Sequence, residues 1–538
     1  MGAAAGPSTG TSTQPPAAAP NDGAYYLGAV VDPWQSVPEA DEGNNITVGP
    51  RIGVGYGPNL VVEAISGPPS AHPFAPIAVD VTVCNRGTAP AWGFDLTVYL
   101  SEDATLEGQQ AGPYSDPMVG PGWGDLLDAD RCEVVRVEGP AAAFAEVPHF
   151  LGAIVDEWSG VPELIEDDNA FIGPRIGIGF GPNLVVRGIE APPSATPGAT
   201  IEVAVELCNT GTEPAFGADV SVYLSTDTTL EGQYAPPTPG TTPDFLVGQD
   251  YLQDIEPGAC LVRAITGPAA VWTPGAYYVG AIVDESGATL ELMEDDNTFV
   301  GARVGVGYDP DLVITAIEAP ASARPYDLIE LGVTVCNQGT SPAGYVEVTT
   351  YASADGVVQG GFPGQPGADP LMGFGNLSGL EAGECRRMSI SGPAAVPTEG
   401  VYYLGAIVDA MDATPELIED NNAFVGPRLG VGNGPDLVVA EVATPASAMP
   451  GTPIDVAVTV CNQGTDPGYA EATLFLTETA GARPGPMSPY VGFVPGGPLE
   501  PGQCRTEIAQ AIAAVPQDGV YFVTAVADEL NTQPELRE

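Results

Sequence analysis

Carboxylates are where this chain concentrates its reactive side chains. An acidic turn recurs along it: Glu39, Asp41 and Glu42; Glu163, Glu166, Asp167 and Asp168; Glu291, Glu294, Asp295 and Asp296; Glu416, Glu419 and Asp420. Each set follows an Asp that closes an apolar run, namely Asp32, Asp156, Asp284 and Asp409. Calcium takes six to eight oxygen ligands, and clustered carboxylates with Asn carbonyls supply them. Calcium is therefore the candidate ligand of these turns. The competing reading is plain turn chemistry, since Asn and Asp are strong turn formers and no EF-hand pattern with its glycine occurs.

Other chemistry is sparse. His72 and His149 are the two histidines, too few for a His-rich metal site or a set of Ser-His-Asp triads. The run Gly53–Gly57 leads from strand to strand with no helix to present amide dipoles, so it reads as an inter-domain hinge and not as a phosphate loop. Arg51, Arg175, Arg303 and Arg428 share one register, over a quarter of the 15 basic residues. Pairing with carboxylates of their own unit is the expected role, and an inter-domain or ligand contact is the alternative. No aromatic patch recurs on an obviously exposed face, and Tyr25, Tyr277 and Tyr402 read as half core and half edge. Glycosidase-type carboxylate pairs would need a pocket that near-identical units do not obviously provide. No enzyme is expected.

The elements that carry these residues must be strands. Among 538 residues there are 69 Gly and 56 Pro, which favours short strands and many turns over helices, and the length suits about three to five domains. With 70 acids against 15 bases the net charge is -55, and every base is Arg. Such a surface repels nucleic acid and anionic membranes and favours cations and basic partners. Residues 1–24 form an Ala/Pro/Ser/Thr-rich segment expected to be disordered, with neither a basic nor an apolar leader region. No run of about 18 apolar residues suggests membrane insertion.

Self-similarity organises the rest. GPNLVV at Gly57–Val62 returns at Gly181–Val186, as DPDLVI at Asp309–Ile314 and as GPDLVV at Gly434–Val439, with spacings of 124, 128 and 125 residues. CNRGT from Cys84, CNTGT from Cys208 and CNQGT from Cys336 and Cys461 keep step. Just before these cysteines, IAVDVTVC, IEVAVELC, IELGVTVC and IDVAVTVC alternate apolar with mostly polar or small residues, the period of a half-buried strand. About seven strands in some 125 residues predict an all-β chain of tandem immunoglobulin/fibronectin-like β-sandwich domains. The parts are a partial repeat at 25–57, sandwiches at 58–181, 182–309 and 310–434, and a fourth at 435–538 without its final strand.

Eight cysteines fall two to a repeat: Cys84 and Cys132, Cys208 and Cys260, Cys336 and Cys385, Cys461 and Cys504. They are expected to form disulfides in an oxidising compartment. By position each pair lies on the second and fifth strands. Because Ile77, Val79, Val81 and Val83 share the core face, Cys84 points the other way with Asp80 and Thr82. The staple is then on the outside of one sheet.

PNLVV, VTVCNQGT, YLSTD and YYLGAIVD with its E-D-N-N turn resemble the CARDB family, the cell-adhesion-related domain found in bacteria, over about 95% of the chain. The resemblance implies an immunoglobulin-like fold, surface or secreted proteins, and no catalytic motif. The expectation is a non-enzymatic extracellular array, a semi-rigid acidic rod of sandwiches roughly 35 to 45 Å long, with other copies of itself, cell-surface proteins or glycans as partners. An accessory array of a larger secreted enzyme is the alternative. The incomplete repeats at both ends fit a piece of a longer protein, or strand donation, in which residues 44–55 of one molecule complete the last sandwich of the next.

Overall fold

Alternating apolar residues become paired strands throughout a computed structural model of the chain, which describes residues 21–34, 36–37, 44–143, 147–233, 244–361, 367–477, 481, 483–484, 488–515 and 519–537. The first acidic set, Glu39, Asp41 and Glu42, and most of the Ala/Pro-rich segment lie outside the described residues.

A two-stranded antiparallel sheet comes first, β1 (Gly23–Val30) with β2 (Ile46–Val54). The first sandwich follows: β3 (Leu60–Ser66), β4 (Ser70–Ala71), β5 (Pro76–Asn85), β6 (Ala91–Ser101), β7 (Met118–Leu127), β8 (Arg131–Pro140), β9 (Pro148–Val155) and β10 (Ala170–Ile178). One sheet has the order β3-β5-β8 and the other β4-β10-β9-β6-β7, with β4 parallel to β10. The sole helical element described is a 3₁₀ turn at Gln109–Tyr114.

The second sandwich repeats this with β11 (Leu184–Glu190), β12 (Ser194–Ala195), β13 (Thr200–Asn209), β14 (Ala215–Phe216), β15 (Asp219–Ser225), β16 (Phe245–Tyr251), β17 (Asp254–Ile255), β18 (Cys260–Pro268), β19 (Gly275–Val283) and β20 (Thr298–Val306). In the third the strands are β21 (Leu312–Glu318), β22 (Ser322–Ala323), β23 (Leu328–Asn337), β24 (Val346–Ser353), β25 (Leu371–Leu377), β26 (Cys385–Pro393), β27 (Gly400–Val408) and β28 (Ala423–Val431). The fourth has β29 (Leu437–Ala443), β30 (Pro453–Asn462), β31 (Gly468–Thr477), β32 (Tyr490–Leu499), β33 (Cys504–Ile512) and β34 (Phe522–Ala527). Its second sheet is β32-β31-β34, so among the described residues β34 has no neighbour on its far side.

Each core lies between two sheets. In the first sandwich Ile77, Val79, Val81 and Val83 of β5 face Leu96, Val98 and Leu100 of β6 and Leu151, Ala153 and Val155 of β9, all buried. Burying each such side chain stabilises by about 1.5–3 kcal/mol, which is why period-two alternation fixes the register. Cys84 sits opposite Cys132 in the β5–β8 ladder and bonds to it. Cys208–Cys260, Cys336–Cys385 and Cys461–Cys504 repeat the arrangement. Each bridge joins directly opposed residues of one sheet on its outer face, and the four indicate an oxidising, extracellular-type environment.

Candidate functional site

The acidic turn is built into a joint between consecutive sandwiches. It connects β9 to β10 and, as the strand order requires, lies at the pole where β3 begins. Asp156 starts it: the carboxylate accepts from the Gly160 and Val161 N–H groups, both at 2.9 Å, while φ of 47° at Asp156 turns the chain. This local Asx geometry suits the αL tolerance of Asp. Asp284 and Asp409 take the same conformation and bond to their own turns.

Two residues of the turn then fasten it to the chain entering the sandwich. Glu163 accepts from the Leu60 N–H and from Asn169 Nδ2, and Leu164 N donates to Pro58 O at 2.9 Å. Glu291 and Glu416 bind the Leu184 and Leu312 N–H groups, and Leu292 and Leu417 bond to Pro182 O and Pro310 O at 2.9 Å. Burial pushes Glu163 and Glu416 up to about 7 and Glu291 up to about 8, against the pull of those hydrogen bonds. Glu166, Glu294 and Glu419 reach back to the N–H of Glu163, Glu291 and Glu416.

The outer residues of the turn cross the joint. Asp167 pairs with Arg51, Asp295 with Arg175 at 2.6 Å, and Asp420 with Arg303. Each arginine belongs to the preceding unit. This corrects the expectation of pairing within the arginine's own unit, because the β2, β10 and β20 positions face the next sandwich's pole. Arg175, Arg303 and Arg428 also lie over the rings of Phe150, Tyr278 and Tyr403. Hydrogen bonding from the arginines holds Asp167 and Asp420 below the usual carboxylate range.

The glycine run is a seat, which corrects its reading as a hinge. A Cβ added at Gly53 would lie 2.9 Å from Leu164 Cβ, at Gly177 2.8 Å from Leu292 Cβ, and at Gly305 2.6 Å from Leu417 Cβ. The leucines pack where a side chain would otherwise stand. The CNxGT motif completes the joint. Asn85 is buried, with Oδ1 accepting from the Asn59 and Gly87 N–H groups and Nδ2 donating to Ala89 O and Leu127 O. A Cβ at Gly87 would stand 2.4 Å from Gly57 O, and Thr88 Oγ1 donates to Gly55 O at 2.7 Å. Ser70 and Ser194 add bonds to Thr210 O and Gln338 O of the following sandwich, both at 2.5 Å.

The carboxylates proposed for calcium are therefore spread over separate N–H and guanidinium donors. Asp168 and Asp296 accept from Asn59 Nδ2 and Asn183 Nδ2, and the third joint exchanges the two residue types, with Asn421 donating to Asp311. Among the described residues, three His, Cys, Asp or Glu ligand atoms converge within 4.8 Å in two places, Glu63 with Cys84 and Cys132 and Glu206 with Cys208 and Cys260. Both sets contain a disulfide, whose sulfurs are not thiolates. Buried oxygens without a protein partner remain at every joint, on Asn59, Asp168 and Asn169, on Asp296 and Asn297, and on Asp311, Asn421 and Asn422, at most three to a joint where calcium takes six to eight.

Tyr277 and Tyr402 are buried, their hydroxyls donating to Thr273 O and Thr398 O, and His149 occupies the same position in the first sandwich. Sequence reading missed two exposed aromatics per sandwich, one at or just before the strand that follows the CNxGT motif and one on the next long strand. They recur as Trp92 and Trp123, Phe216 and Tyr251, Tyr345 and Phe374, and Tyr469 and Phe493, all exposed. This overturns the expectation that no such patch recurs.

One family model and three solved structures are similar to this chain. A family model described as CARDB matches residues 57–172, 181–301 and 309–426. A crystal structure of a CARDB domain from Pyrococcus furiosus, in complex with di-metal ions, is 23% identical over 23% of this chain and 89% of that chain, with a TM-score of 0.18. Its solution structure is 24% identical over 23% and 96%, with a TM-score of 0.17. Escherichia coli alpha-2-macroglobulin activated by porcine elastase is 13% identical over 92% of this chain and 44% of that chain, with a TM-score of 0.23. No curated protein sequence matches.

Proposed function

The chain belongs to the CARDB family, and from that membership we propose that it is a non-enzymatic extracellular array that holds adhesive surfaces at fixed spacing. Its partners on this reading are cell-surface proteins, glycans or further copies of itself. The observation that supports a rod is the repetition of one joint: leucine on glycine, arginine to aspartate, threonine to linker carbonyl, at three successive boundaries. A flexible string of beads has no need for a joint conserved between its own repeats. Small-angle scattering of the full chain is expected to give an extended particle of constant cross-section. Replacing Leu164, Leu292 and Leu417 by Ala is expected to broaden its dimensions. A wild-type profile that fits only a flexible chain of independent sandwiches would overturn the rod.

A further inference from the structure

All five tryptophans, Trp34, Trp92, Trp123, Trp158 and Trp272, are exposed, although the residue is normally among the more buried. Three belong to the first sandwich, Trp92 at 72%, Trp123 at 70% and Trp158 at 58% exposure. Backbone geometry sets two of them next to Asp95 and the third on the same face three residues along its strand. Trp123 is the direct cross-strand partner of Asp95 in the β6–β7 ladder. Gly93 has φ of +66°, and the alternation resets there: Ala91 and Phe94 are both fully buried, so Trp92 and Asp95 share the outer face. Trp158 comes from the acidic turn, whose Asp156 N–H donates to Asp95 O at 2.8 Å. In the second sandwich the residue at the position of Trp158 is Ser286, and its Oγ donates to Asp219, the counterpart of Asp95, at 2.8 Å. A side chain at that position therefore reaches the carboxylate.

The turn is held firmly. Glu157 is buried and receives the Tyr99 hydroxyl at 2.6 Å, and Asp156 is locked by its own two N–H bonds. Burial and the charges of Asp156 and Glu157 raise the Asp95 carboxyl above its usual range, against the pull of backbone N–H bonds that include the one from Glu157. Exposed indoles on the face of a carboxylate that no arginine pairs among the described residues form an environment that suits an organic cation, by cation–π attraction to the rings and charge pairing with Asp95. The net charge of -55 steers such a ligand in and repels acidic ones.

We propose that Trp92, Trp123, Trp158 and Asp95 form a docking site for the arginine or lysine side chains of a basic partner protein. The exposed pairs Phe216 and Tyr251, Tyr345 and Phe374, and Tyr469 and Phe493 make the other sandwiches weaker versions of the same surface. The site supplies a partner chemistry to the display reading but does not depend on the rod, because it lies wholly within one sandwich.

The test is calorimetric titration of the full chain with an acetylated hexa-arginine amide in 0.3 M salt, where diffuse surface attraction is screened within roughly 6 Å. Trp92→Ala, Trp123→Ala, Trp158→Ala and Asp95→Asn are each expected to weaken binding by about three- to thirty-fold. Trp123→Phe is expected to keep most of the affinity. Trp272→Ala, an exposed ring elsewhere, is expected to keep all of it. Equal affinity across all variants would show diffuse charge alone and overturn the site. So would binding of neutral chitohexaose in place of the peptide, or tryptophan-dependent self-association seen by light scattering without peptide binding. Melting curves of each variant establish that the sandwich remains folded.

Discussion

Leu292 of the second sandwich stands on Gly177 of the first, so closely that a Cβ added at Gly177 would lie 2.8 Å from Leu292 Cβ. The leucine cannot retreat, because its own N–H is bonded to Pro182 O at 2.9 Å. Gly177→Ala should therefore force the two sandwiches apart at a cost of about 1–3 kcal/mol, the usual range for overpacking. Double electron–electron resonance between spin labels on the first and second sandwiches reads the outcome. A broadened distance distribution is expected, with each sandwich still melting as before. A distribution as narrow as that of the unmodified chain would mean that this contact does not hold the joint.

The staples should matter to each sandwich separately. Cys208 and Cys260 close a 52-residue loop, which the chain-entropy model values at about 4 kcal/mol. Replacing both by Ser is expected to lower the denaturant midpoint of the second sandwich and leave the others unchanged. A midpoint shift spread over all four would show that the joints couple their unfolding.

The core face of each alternating strand and the face of the disulfide were legible because both follow from parity. Alternation through Val79, Val81 and Val83 sets the core face, and Cys84 then has one remaining direction. What lay outside that rule was not legible. Arg175 reads alike whether its carboxylate is in its own sandwich or the next, since ion pairing depends on which poles meet. Gly53, in the run Gly53–Gly57, reads as part of a hinge because sequence shows the missing side chain and not the leucine that fills its place. Trp92 stands exposed although Ala91 and Phe94 on either side of the Trp92–Gly93 step are buried, a break in alternation that goes with the positive φ of Gly93. The recurrence of an aromatic one or two residues after each CNxGT-linked Pro-Ala or Pro-Gly pair was the available signal.

Calcium should leave the joints unchanged. Each carboxylate of the acidic turns already receives backbone N–H, amide or guanidinium protons, and no acidic trio converges among the described residues. Melting temperatures in excess calcium and in chelator are expected to coincide. A rise in calcium that Asp168→Asn and Asp296→Asn abolish would instead assign the unpartnered oxygens of Asp168, Asn169 and Asn59 to a cation.

Stability should fall as pH rises through neutrality, opposite to the trend that ion-paired carboxylates produce. Glu163 and Glu416 titrate at about 7 and Glu291 at about 8 in the folded chain, because burial disfavours their charged forms. In the unfolded chain they titrate near the ordinary glutamate value of about 4.3. Between these limits the folded state holds protons that the unfolded state has released, so stability declines with pH across that window and levels off above it. Each group contributes at most about 1.4 kcal/mol per pH unit. Asp167 and Asp420, lowered by their arginines, act in the opposite sense and only at more acid pH, where their contribution is lost as pH falls. Urea midpoints at pH 5, 6.5 and 8.5 should therefore decrease in that order. The Glu163→Gln, Glu291→Gln and Glu416→Gln triple variant keeps an oxygen for the Leu60, Leu184 and Leu312 N–H groups but has no proton to lose. Its midpoints should be flat over the same range, and a slope that survives the triple variant would place the titration elsewhere.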